Sequence, residues 1–110
     1  MRSKRIRLPI YGGSFVVVLD NDLSYVERKY GTMSLSFYGA VTMRVPDGYK
    51  EYLVAFTDKE HLSNIVHEIV HLKNYIYEDA GVVLDLVNDE REAYLSGWLF
   101  DEIYGFLKKC

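Results

Sequence analysis

Asn64-Ile65-Val66-His67-Glu68-Ile69-Val70-His71 is the stretch on which the reading of this chain turns. It contains an H-E-x-x-H, His67-Glu68-Ile69-Val70-His71. On a helix, residues four apart share a face, so His67 and His71 aim both imidazoles at one point. Neutral imidazole is a good Zn²⁺ ligand, and two of them preset half of a tetrahedral site. Glu68, one residue on, lies about 100° round the axis. From there it can reach a metal-bound water without being a ligand. Two ligands, a general base and a water acidified by the metal are the parts of a metal-assisted hydrolase.

The flanking residues test whether the motif lies on a helix. With His67 at 0° and about 100° per residue, Leu62, Ile65, Val66, Ile69, Val70, Leu72 and Ile76 fall on one arc. Glu60, Asn64, His67, His71, Asn74 and Glu78 fall on the opposite one. The pattern predicts an amphipathic helix from about Lys59 to Tyr77, with its core face turned away from the histidines.

The bulk properties bound the rest. The chain has 110 residues, enough for one domain with a modest core, and 49% of them are hydrophobic, ten being tyrosine. That describes a folded globular chain. A net charge of −3 argues against a general nucleic-acid binder, which would carry a basic surplus. Arg2, Lys4, Arg5 and Arg7 cluster at the start and read as a solvated strand. Phe15–Leu19 is too short for the core of a secretion signal, and no segment has membrane-spanning length. The single cysteine, Cys110, excludes a disulfide framework and points to a reducing, cytoplasmic setting. Neither nucleic acid nor membrane is expected as a partner.

Taken in order, Arg5–Tyr11 reads as a strand with an edge position suggested by Pro9. Gly12-Gly13 makes a tight hairpin turn, and Ser14–Leu19 is a buried strand rich in valine. Asp20-Asn21-Asp22 offers caps for a short helix, about Leu23–Tyr30, closed by Gly31. Leu35–Val45 alternates, with Val41 and Met43 on one face and Thr42 and Arg44 on the other, as in a half-exposed antiparallel strand. Pro46-Asp47-Gly48 turns the chain into a more central strand, Tyr49–Phe56. Thr57 or Asp58 caps the H-E-x-x-H helix, with Glu60 placed for a capping box. Val82–Val87 is an apolar connector, and Asn88-Asp89 caps a last helix ending near Leu107. The expected fold is α+β: a small antiparallel sheet of two hairpins, the H-E-x-x-H helix and a C-terminal helix, in a single domain spanning 1–110.

Catalytic zinc usually takes three protein ligands, and the first helix supplies only two aligned histidines. Glu90 and Glu92, at the start of the last helix, are the candidates for the third. Leu95, Leu99, Ile103, Phe106 and Leu107 form that helix's apolar arc, with Glu92 in its middle, while Tyr94, Gly97, Trp98 and Asp101 share the side of Glu90. Asp89-Glu90-Arg91-Glu92 is also a D-x-x-E capping box in which Glu92 would bond back to the Asp89 backbone. Glu90 is therefore the expected ligand and Glu92 the alternative.

The segment His67–Gly97 resembles the gluzincin class of zinc metallopeptidases, which pairs H-E-x-x-H with a glutamate at the start of a following helix. Glu90-Arg91-Glu92-Ala93-Tyr94-Leu95-Ser96-Gly97 is similar to the E-x-E-A-x-x-x-A/G pattern of small members that cleave repressors, where the first glutamate, here Glu90, is the ligand. Tyr94 stands where that pattern usually has Asp or Asn orienting a metal-bound histidine. The chain also resembles small phage-encoded H-E-x-x-H proteins, for which the setting would be a host cytoplasm. The resemblance implies a minimal zincin-like domain, Zn²⁺ on His67, His71 and Glu90, Glu68 as general base, and a protein or peptide substrate. By analogy with such enzymes, the substrate would add as a strand along the Leu35–Val45 edge. Tyr94, Tyr75 and Tyr104 are candidates for an oxyanion donor. The alternative from another class is a zinc-containing or degenerate zincin-fold binding protein, for example a phage protein engaging a host factor, with no hydrolase activity. Oligomeric state is left open.

Overall fold

Hydrophobic patterning places two strands at the centre of the molecule. In the computed structural model, which describes residues 1–110, the chain runs β1 (Arg2–Arg7), β2 (Ser14–Leu19), α1 (Ser24–Tyr30), β3 (Ala40–Arg44), β4 (Glu51–Phe56), α2 (Leu62–Ala80) and α3 (Glu90–Leu107). After their first residues, Ser14 and Glu51, β2 and β4 are apolar because both of their faces are covered. Phe15 and Val17 with Tyr52, Val54 and Phe56 face α2 and α3. Val16 and Val18 with Leu53 and Ala55 face α1, where Leu23, Val26 and Leu35 complete a smaller core. The molecule therefore has three layers, α1 / sheet / α2–α3.

Both expected pairings form, β1 antiparallel with β2 and β3 with β4, but with shifted bounds. β1 ends at Arg7, so the turn takes residues 8–13 and not Gly12-Gly13 alone, and the strand expected from Leu35 begins only at Ala40. The sheet is nevertheless mixed, in the order β1-β2-β4-β3, because β2 and β4 run parallel from Ser14↔Glu51 to Leu19↔Phe56. This corrects the expectation of an antiparallel sheet. The connection through α1 enters β3 at Ala40, beside Phe56 and so at the end of the sheet where β2 finishes; β3 then runs back and β4 returns in the direction of β2. β3 is thereby left as an edge strand.

The helix ends also differ from expectation. Asp58 does cap, but it caps a preceding turn: its Oδ1 accepts the backbone N–H of Glu60 and of His61, at 3.0 and 3.2 Å. α2 begins only at Leu62 and runs on to Ala80, where Gly81 closes it in a left-handed conformation. Burial on α2 falls on Ile65, Ile69, Leu72 and Ile76, flanked by Glu68 and Lys73, whereas Leu62, Val66 and Val70 are exposed. The apolar arc read from the sequence is thus too wide, since the sheet and α3 cover only part of it. On α3 the expected arc, Leu95, Leu99, Ile103, Phe106 and Leu107, is buried in full. Val82–Val87 forms no strand, and Val83, Leu86 and Val87 are exposed.

A stability comparison checks the seating of α2. Ile69→Ala should cost about 2–5 kcal/mol, the cost of a core cavity. Val70→Ala, one residue on, should change stability by no more than about 0.5 kcal/mol, both read from urea unfolding.

Candidate metal centre

The period of α2 splits its motif between two environments. His67 and His71 face solvent, with Nε2 atoms 3.2 Å apart and rings 5.0 Å apart at 70°. Two Zn–N bonds of about 2.0–2.1 Å at a tetrahedral angle put the nitrogens about 3.3 Å apart. The observed 3.2 Å is a hydrogen-bond distance between the two imidazoles and is also close to that separation.

Glu68, about 100° further round the helix, turns toward the sheet and is 6% exposed. A buried carboxylate needs a donor, and β3 supplies one: Thr42 Oγ1 donates to Glu68 Oε1 at 2.7 Å. The second oxygen, Oε2, lies 3.9 Å from His67 Nε2. The carboxylate thus reaches from the edge strand to the histidine face, one oxygen held and the other turned toward the imidazoles.

The C-terminal end of α2 is clamped to the same edge strand. Arg44 on β3 bonds Asp79 through Nε and Nη2, at 3.3 and 3.1 Å, and pairs with Glu78. Its guanidinium lies 4.4 Å from the centre of the Tyr75 ring. Tyr52 donates to Asp79 Oδ2 at 2.6 Å. Arg44 bonding, with Tyr52 helping, holds the Asp79 carboxyl below the usual carboxylate range. A depressed pKa gives stability that is present above the unfolded value and lost as pH falls through the folded one.

The first turn of α3 meets α2 on a different flank. Lys73, buried, donates to Glu92 Oε1 at 2.7 Å. Asp89 is the N-cap of α3, without a side-chain cap bond. The expected Glu92 capping box is therefore replaced by an ion pair, because a buried ammonium needs a counter-charge more than an exposed backbone N–H needs a cap. Glu90 is exposed. No group of three His, Cys, Asp or Glu side chains stands together as a metal site. The structure brings His71 and, at 3.9 Å, Glu68 to His67, but brings neither Glu90 nor Glu92 to the pair as a third ligand.

The other candidates have separate settings. Tyr94 is 75% exposed and lines a cleft with Tyr11 and Trp98 that contains neither histidine. Tyr104 stacks on Phe100. His61 bonds Asp58 through Nδ1 at 2.9 Å, and this bond raises the imidazole pKa. Cys110 is a free thiol, and no helix is long and apolar enough to cross a membrane.

The sequence reading missed Thr42 and Lys73. Thr42 carries no signal of its own, since alternation placed it on a face read as exposed. Lys73 did carry one: at about 240° from His67 it falls inside the apolar arc, as Glu92 does on α3. Comparison with protein-family models, with curated proteins and with solved structures finds no match for the chain.

The two glutamates should separate in a stability assay. Glu92→Ala leaves Lys73 buried without its partner and should cost about 2 kcal/mol, while Glu90→Ala should stay within about 0.5 kcal/mol, both from urea unfolding without added metal.

Proposed function

We propose that the chain is a zinc-dependent metallopeptidase of minimal zincin type, with His67 and His71 holding Zn²⁺ and Glu68 as general base toward a protein or peptide substrate. The observation that carries this reading is the convergence of the two imidazoles beside a buried, oriented carboxylate. The donor set fits zinc at two positions. Glu90, with Glu92 as alternative, is the proposed third ligand, and its approach requires the first turn of α3 to shift toward the histidines. Use of Glu92 would also break its pair with Lys73, which favours Glu90. Bound zinc would supply a Lewis acid that polarises a carbonyl and acidifies a water.

The residues of the chain do the rest. Thr42 occupies one oxygen of Glu68, which fixes the carboxylate and leaves Oε2 to accept a proton on the histidine side and return it to the leaving amine. β3 has an unpaired outer edge, and an extended peptide adding there would lie beside the strand that carries Thr42. That edge supports a peptide as substrate over a small amide.

A second reading is favoured by the missing third donor: a zincin-fold protein that binds zinc weakly or not at all and serves as a binding module. Glu68 separates the two. With zinc-loaded protein and a mixed peptide library read by mass spectrometry, the metallopeptidase cleaves at defined bonds. Glu68→Gln should then keep its zinc and lose at least about 10²-fold in rate, and Thr42→Val should lose less. Absence of cleavage in the zinc-loaded wild type, or equal cleavage by Glu68→Gln, would overturn the hydrolase and leave the binding module.

A further inference from the structure

The largest cleft in the molecule is separate from the histidine pair. It has a volume of about 790 Å³, within the range of roughly 300–1,000 Å³ usual for small-molecule sites. Its walls combine Ile10, Tyr11, Tyr94 and Trp98 with two cations, Lys50 and Arg91, and no Asp or Glu lines it. Arg91 enters no ion pair. Lys50 Nζ donates to a carbonyl, Tyr11 O, at 3.2 Å, and has no carboxylate partner.

The backbone that builds the mouth is held in costly conformations. Ile10 has φ 69° and Lys50 φ 52°, a region that non-glycine residues enter at a cost and β-branched ones seldom adopt. Ile10 is also 96% exposed, so packing does not compensate its strain. The two turns are pinned to each other: Ser14 N donates to Lys50 O at 3.0 Å, and a Cβ on Gly13 would lie 2.1 Å from that oxygen. A strained, exposed isoleucine on a pinned turn is an apolar group presented outward, next to two cations and three exposed or half-exposed aromatic rings.

We propose that this cleft binds a small aromatic carboxylate, its ring against Ile10, Tyr94 and Trp98 and its carboxylate between Lys50 and Arg91. The aromatic walls select a flat apolar body, and the two cations select an anion: no acid lines the cleft itself, Asp85, Asp89 and Glu92 standing on the other side of Arg91. The proposal does not depend on the metal reading.

Trp98 is the only tryptophan and reports on the cleft directly. The test is a titration of the full chain with 4-phenylbutyrate in EDTA, followed by Trp98 fluorescence, with the neutral 4-phenylbutanamide as control. The expected result is a saturable change, at least tenfold weaker for the amide and about tenfold weaker for Arg91→Gln. Ile10→Gly relieves the backbone strain, so it should unfold no earlier than wild type in urea and still bind several-fold more weakly. A change that never saturates, equal binding of acid and amide, or wild-type affinity in Arg91→Gln would overturn the proposal.

Discussion

A carboxylate one residue after His67 cannot point the same way as that histidine while both lie on a helix. The step of about 100° per residue turns Glu68 toward the sheet as it turns His67 toward solvent, and the arrangement around α2 follows from that division. Ile65, Ile69, Leu72 and Ile76 fill the seat against the sheet and α3. Glu68 and Lys73 fall on the two flanks of that seat, and each is buried. Buried charge is tolerated only when hydrogen-bonded or paired, so each flank requires a partner from the neighbouring element. Thr42 meets Glu68 from β3, and Glu92 meets Lys73 from α3.

The two flanks serve different ends. On the β3 side, Thr42 holds the carboxylate while Arg44, Asp79 and Tyr52 clamp the far end of the helix to the sheet. The motif is thus presented by rigid elements, and a site on such elements keeps its geometry better than one on loops. On the α3 side, the Lys73–Glu92 pair fixes where the last helix begins against α2. It also commits to packing a glutamate that the sequence offered as a metal ligand. Glu90, two residues earlier and exposed, is the carboxylate whose recruitment costs no pair.

Much of the fold was legible because it depends on period. The two hairpins, the short helix closed by Gly31, the motif helix and the buried arc of α3 all follow from alternation, turn residues and helical phasing. The parallel pairing of β2 with β4 was not legible, since local pattern does not say which strands of two hairpins meet. The start of α2 was misplaced because Asp58 caps a turn before the helix and not the helix itself. Lys73 and Glu92 each stood inside an apolar arc. A lysine and a glutamate placed so on successive helices signal a buried pair, and that signal would have removed the capping box. Nothing in the sequence tied Thr42 to Glu68, because the contact joins residues 26 apart through tertiary packing alone.

The claim on which the functional reading rests is that His67 and His71 form two corners of a zinc site. Its most direct test is zinc per chain, by elemental analysis and by competition with a chromophoric chelator, in wild type, His67→Ala, His71→Ala, Glu90→Ala and Glu92→Ala. The expected result is one zinc in wild type, lost on removal of either histidine or Glu90 and kept on removal of Glu92. No zinc in the wild type after it is supplied in excess, or zinc retained without both histidines, would contradict it.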